Sequence, residues 1–127
     1  MNREIKFRAR AIQDGQWIVG DLIHKQHNGD EEVIIQEPNG CGTDCDINTV
    51  GQFTGFKDKN GREVFEGDII THGDCRLLYV VEWQPLTGFV AKHIGSSSYT
   101  GLSFWLPVSE VIGNIHENQE LMKGDRR

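Results

Sequence analysis

The segment Thr54-Gly55-Phe56-Lys57-Asp58-Lys59-Asn60-Gly61-Arg62-Glu63-Val64-Phe65-Glu66-Gly67-Asp68 decides how this chain folds. Gln52 to Phe56 reads as a strand, Asp58-Lys59-Asn60-Gly61 as a tight turn, and Val64-Phe65 as the returning strand. Asn-Gly between two apolar runs is the strongest short hairpin signal, because both residues tolerate positive φ. Glu66-Gly67-Asp68 makes a second turn, in which Asp68 can accept a neighbouring backbone N–H as an Asx-type cap. Asn60, Gly61, Gly67 and Asp68 are therefore read as structural turn residues. Ile69-Ile70 then resumes the β pattern.

The same grammar extends in both directions. Upstream, Ile5, Phe7 and Ala9 alternate with Lys6, Arg8 and Arg10, the period-two mark of a half-buried strand over Glu4 to Arg10. Asp14-Gly15 is a hairpin turn into Trp17 to Ile23, and Asn28-Gly29 is another turn, inside a polar stretch from Lys25 to Glu31. Val33-Ile34-Ile35 is a short buried-strand core. Pro38 to Asp46 reads as a loop that carries Cys41 and Cys45. Downstream, Leu77 to Trp83 and Phe89 to Ile94 form a strand pair across Gln84 to Gly88. Gly95 to Gly101, with three serines in a row, reads as a mobile loop. Phe104-Trp105-Leu106 and Val108 to Ile115 return to apolar segments. Asn118 to Lys123 suits a short helix with Asn118 as its N-cap. The fold expected is mainly β: one compact domain of short twisted antiparallel or mixed strands, barrel-like or as a curved sheet, with a short C-terminal helix.

Composition sets limits on function. A chain of 127 residues is one domain by length and buries enough surface for a core without metals or disulfides. Its formal net charge of −6 repels polyanions, so nucleic-acid binding needs a local basic patch. The longest apolar run, Leu77 to Val81, falls far short of a membrane span, and Arg3, Glu4, Lys6, Arg8 and Arg10 break any leader-like run. With three cysteines and no export signal, the expectation is a reduced cytoplasmic setting and no membrane partner.

Three constellations carry candidate chemistry. Lys6, Arg8 and Arg10 form a basic stripe that can track a phosphate backbone if its strand lies at a sheet edge, with Trp17 available to stack on bases. The same stripe is also what a charge-protected edge strand looks like. Cys41, Cys45, His72 and Cys75 offer the ligand types of a tetrahedral zinc site. The plainer reading is loop cysteines, because the spacing is loose and the domain needs no metal, so no cofactor is expected. Glu66 and Asp68 flank a glycine and serve turn geometry more naturally than acid–base work. No nucleophile elbow and no phosphate-cradling glycine motif occurs, and His93 and His116 have no partner that sequence identifies. We assign no catalytic residue and expect no enzymatic activity.

Several blocks have a family look. Phe7-Arg8-Ala9, the run from Gly15 to Ile23, the central Val50 to Ile69, and the closing Val111 to Leu121 resemble the successive motifs of YopX-like proteins. Arg10 and Gln119 depart from the family pattern, the latter standing where a helix-starting Pro is usual. The resemblance implies one YopX-like domain over residues 1–127, and its terminal position makes 119–127 a partly frayed tail. It further implies a small, mostly β protein encoded by phages and prophages, with no established activity, cofactor or catalytic residues. The expected role is a non-enzymatic accessory protein that acts through contacts with phage or host proteins or with itself as a homo-oligomer. The alternatives are nucleic-acid binding through the N-terminal basic face and a zinc module on the four Cys and His residues.

Overall fold

The computed structural model describes residues 4–72, 74–96, 98–102 and 108–123, with the backbone alone at 27, 72, 74–76, 122 and 123. The chain forms two compact units, Met1–Phe53 and Thr54–Arg127.

The first unit is antiparallel, in the order β4-β3-β2-β1-β5. Its strands are β1 (Phe7–Arg10), β2 (Trp17–His27), β3 (Asp30–Gln36), β4 (Gly42–Cys45) and the start of β5 (Gly51–Lys57). The period-two reading of β1 holds in part: Phe7 and Ala9 pack into a core with Val33, Ile35 and Cys45, but the strand starts at Phe7, Ile5 is exposed, and Arg8 on the other face is buried as well. The β2–β3 hairpin turns at Asn28 and Gly29, whose φ angles of 55° and 86° are both left-handed. That is the mirror-image turn which an Asn-Gly pair favours. The strands run up to that turn, with His27 opposite Asp30, so the stretch read as a polar loop is a solvated two-stranded ribbon. Gly20 sits inside β2 because a Cβ there would run into the backbone carbonyl of Gln36.

The Pro38 to Asp46 loop is shorter than expected, since Gly42–Cys45 is a strand paired with β3. Gly-Thr-Asp suits it because Gly42 and Asp44 are exposed, Thr43 is half-buried and only Cys45 is buried. The outer edge of β4 is tied to the chain leaving β1. Ile12 N–H donates to the Asp44 carbonyl at 3.0 Å and Asp46 N–H to the Arg10 carbonyl at 2.8 Å. The Asp46 carboxylate then caps the 3-10 turn Ile47–Thr49.

In the second unit, β6 (Glu63–Phe65) lies beside β5. A five-stranded sheet follows in the order β10-β9-β8-β7-β11, built from β7 (Asp68–His72), β8 (Asp74–Gln84), β9 (Gly88–His93), β10 (Tyr99–Gly101) and β11 (Ser109–Asn114). Its pairings are antiparallel. Of the two forms expected, the open sheet is the one seen, because the order ends on two different strands. Ile70, Val81, Ala91 and Val111 pack with Val64 and Leu102, whereas Ile69, Leu78, Val80 and Ile94 form a separate cluster. Strands covered on both faces read as continuous apolar runs, which is why Ile69-Ile70 and Leu77 to Val81 do not alternate.

Two further expectations are corrected here. The Gly95 to Gly101 loop is half strand, since Tyr99–Gly101 pairs with β9. The expected short C-terminal helix is present as a 3-10 segment, Gln119–Lys123, and what is corrected is its cap. Asn118 does not cap it with its side chain, which instead accepts the Asn114 N–H at 3.0 Å. Residues 103–107, with Trp105 and its neighbours, and the last residues of the tail lie outside the described residues.

Candidate interaction surface

The basic face does come together, but on a central strand. β1 pairs with β2 on one side, and Phe7 and Arg8 pair with Gln52 and Gly51 of β5 on the other. The edge position that phosphate tracking needed is therefore absent, and so is the need to protect an edge there. Arg8 is only 8% exposed. Its guanidinium lies 4.5 Å from the Trp17 ring centroid and that of Arg10 lies 5.9 Å from it. Arg10 also donates through Nε to the Gly15 carbonyl at 3.1 Å. Lys6 pairs with Glu4 at 3.4 Å and sits over the Phe53 ring at 4.9 Å. Cation–π contacts of this kind use the faces that would otherwise stack on bases.

Of the zinc candidates, Cys41 is exposed and Cys45 is buried, both as free thiols. Burial pushes the Cys45 thiol up, against the thiolate that a metal requires. The side chains of His72 and Cys75 lie outside the described residues. Among the described residues no group of three or more His, Cys, Asp or Glu is placed to hold a metal ion. His93 does acquire a partner, Ser96 Oγ at 3.0 Å from Nδ1. That oxygen also accepts the Ser98 N–H at 3.2 Å, so the pair closes a turn.

The central turn works differently from the Asn-Gly reading. Gly61 alone is left-handed, with φ of 84°. Gly61 N–H donates to the Asp58 carbonyl at 3.0 Å, and Asp58 N–H to the Arg62 carbonyl at 2.9 Å. The organiser is the buried Asp58 carboxylate. Its Oδ1 accepts the N–H groups of Asn60 and Arg62, each at 2.9 Å, and its Oδ2 accepts the Val111 N–H at 2.9 Å across 53 residues of sequence. Burial would raise the Asp58 carboxyl, but these three N–H groups and the nearby Arg62 charge outweigh it and hold the group below its ordinary value. Lys59 N–H adds a bond to the Ser109 carbonyl at 3.0 Å. The turn thus occupies the outer edge of β11, with a carboxylate oxygen standing where a neighbouring strand would offer a carbonyl. Asp68 and Asn114 play related local parts. Asp68 Oδ2 accepts the Phe65 N–H at 2.8 Å, and Asn114 Oδ1 accepts the N–H groups of His116 and Glu117 at 2.9 Å.

The opposite end of the sheet is apolar and uncovered among the described residues. The β8–β9 turn carries Leu86 at 98% exposure, flanked by Trp83 at 52%, and Tyr99 of β10 is 50% exposed. Trp83 packs edge-on against Phe89, with ring centroids 5.0 Å apart, which fixes the base of the hairpin. Beside it opens a cleft of about 690 Å³ lined by Gln84, Pro85, Leu86, Val90, Tyr99 and Gly101 among others. Gln84 Nε2 reaches the Tyr99 hydroxyl at 3.4 Å and holds one wall. Sequence reasoning singled out the Gly95 to Gly101 segment, which supplies one wall of this surface, but passed over the Leu86 turn. The signal was the Leu at the tip of a Pro-Leu-Thr turn, where solvated connections usually carry polar residues. A second cleft, of about 500 Å³ in the first unit, has charged residues in its lining, Arg10 together with Glu31, Glu32, Asp44 and Asp46, beside apolar ones such as Ile12 and Val33.

Comparisons with known proteins agree with the motif reading. The crystal structure of protein EF1440 from Enterococcus faecalis is similar to this one, with a TM-score of 0.56 and 26% sequence identity over 95% of this chain and 99% of that one. No curated protein matches the chain at a significant level. A family model described as YopX protein matches residues 6–123, nearly the whole sequence, and the chain therefore belongs to the YopX family.

Proposed function

We propose that this protein is a non-catalytic interaction module, a phage or prophage accessory protein that works through protein–protein contacts in the bacterial cytoplasm. The observation that carries this reading is the apolar rim at the β8–β9 turn: Leu86 is almost fully exposed above a largely hydrophobic cleft. An exposed apolar cluster beside an open strand edge is a common mark of a protein-binding surface. Nothing in the sequence or the turn network calls for catalysis. The Asp58 carboxylate is spent on three backbone N–H groups, and the His93–Ser96 pair is part of a turn. Nucleic-acid binding through Lys6, Arg8 and Arg10 is less well supported, because Arg8 is buried and both guanidinium groups lie over Trp17.

The test compares wild type with Leu86→Asp, using light scattering for self-association and co-purification from host cells for other partners. The reading expects at least one specific association that Leu86→Asp weakens about tenfold or more, the loss typical of an anchor residue. Associations that ignore the substitution, or none of either kind, contradict it.

A further inference from the structure

The register of the outer strand says what kind of partner this rim fits. His93 N–H donates to the Ser98 carbonyl at 2.9 Å, which makes His93 and Ser98 a hydrogen-bonded pair. Antiparallel pairs alternate, and Thr100 lies opposite Ala91, so Thr100 also turns its N–H and C=O toward β9. The backbone groups of Tyr99 and Gly101 therefore point away from the sheet. β10 ends the strand order, and no described residue bonds those groups. Tyr99 and Gly101 share one face with Val90 and Lys92. A Cβ placed on Gly101 meets none of the described residues within 4 Å, so among them the face has an opening there next to the exposed Tyr99 ring.

We propose that two copies of this chain join through β10, antiparallel about a two-fold axis at Thr100. This rests on the interaction-module reading and names its partner. A two-fold at Thr100 sets Tyr99 of each copy opposite Gly101 of the other. These are the residues whose N–H and C=O face outward, so the two pairs exchange four hydrogen bonds. The same symmetry lays each Tyr99 ring over the opening at Gly101 of the second copy, beside Val90 and the cleft. An aromatic covering a cross-strand glycine is a favourable sheet pairing. An isologous contact of this kind closes after two copies, which a three-residue strand suits better than an open chain of strands. Both charge signs are present nearby, with Glu82 on the same face as Lys92, so the patch does not repel its own image. The copies do carry −6 each, so added salt strengthens the dimer.

Two variants test the register. Thr100→Cys places two thiols across a non-hydrogen-bonded pair, within the Cα spacing that a disulfide spans. With oxidised glutathione, which takes up the two electrons and the two protons, this variant should give roughly tenfold more covalent dimer than wild type, whose native cysteines set the background. Tyr99→Cys, opposite Gly101 rather than itself, should stay near that background. Gly101→Val fits the open space in the single chain and favours the strand, so the fold and Tm are kept or improved. It should still weaken the dimer about tenfold or more, because it fills the seat of the Tyr99 ring. A wild type that stays monomeric at every concentration overturns the proposal, as does cross-linking at Tyr99→Cys in place of Thr100→Cys. If the wild type is monomeric yet binds another protein in a Leu86-dependent way, the interaction-module reading survives and the second copy does not.

Discussion

The five-stranded sheet has two ends, and the chain treats them in opposite ways. At β11 the turn around Asp58 is folded against the strand edge. One carboxylate oxygen accepts the Val111 N–H, and Lys59 N–H donates to the Ser109 carbonyl. At β10 the outward groups of Tyr99 and Gly101 have no such cover among the described residues, and an apolar cleft lies beside them. An exposed edge is a template for pairing with another chain, and proteins usually blunt it. Here one edge is blocked by the most recognisable motif in the sequence, which leaves pairing to the other. The family motif thus supports folding by covering the β11 edge with its own turn.

The contrast can be broken most severely at Asp58. Asp58→Asn keeps the shape but replaces one acceptor oxygen with a donor, which meets the Val111 N–H or the turn amides head-on. Losing charge-assisted bonds while stranding a buried donor costs about 3 kcal/mol. The expected readout is a lower denaturant midpoint with an unchanged slope, together with new self-association through the uncovered β11. An unchanged midpoint would remove Asp58 from the centre of the account. Gly61→Val is the next largest effect. A β-branched residue at φ of 84° costs about 1–2 kcal/mol, measured the same way, and should leave association at β10 untouched.

Acid weakens the same lock without mutation. The Asp58 carboxyl is lowered in the folded chain, so between its folded and unfolded values the unfolded chain binds more protons. Its contribution is fully present above the unfolded value of about 4 and is lost as pH falls through the folded value. Wild type should therefore lose more stability on acidification than Asp58→Asn does, when unfolding is followed from neutral pH to about pH 3. The smallest effect on stability belongs to Leu86→Asp. A side chain that is almost fully exposed contributes little to the fold, so a change within about 0.5 kcal/mol is expected, alongside a large loss of association.

Much of the fold was legible because local rules agree with it. The alternation of β1, the Asn28-Gly29 turn and the β8–β9 pair all follow from period and turn chemistry. What escaped was set by long-range pairing. Gly-Thr-Asp-Cys at β4 and Tyr-Thr-Gly at β10 look like loops, and become strands only because β3 and β9 offer them an edge. The polar residues around Asn28-Gly29 become a ribbon because each of the two strands satisfies the backbone of the other. Asn60-Gly61 marked a hairpin correctly for an incomplete reason, since the turn depends on Asp58 and on a strand 53 residues away. The same limit applied to the surface. Whether Arg8 and Arg10 face a ligand or a Trp ring depends on β1 being internal, and whether Tyr99 is available depends on β10 being last. Neither fact is written in local sequence.

Residue-resolved amide hydrogen exchange compares the two edges directly. Val111 and Lys59 N–H groups should exchange slowly at every protein concentration, because the Asp58 turn holds them. Tyr99 and Gly101 N–H groups should exchange quickly in dilute protein and slow markedly as concentration rises and β10 pairs. Slow exchange of Tyr99 and Gly101 at high dilution, or rapid exchange of Val111, would contradict this contrast.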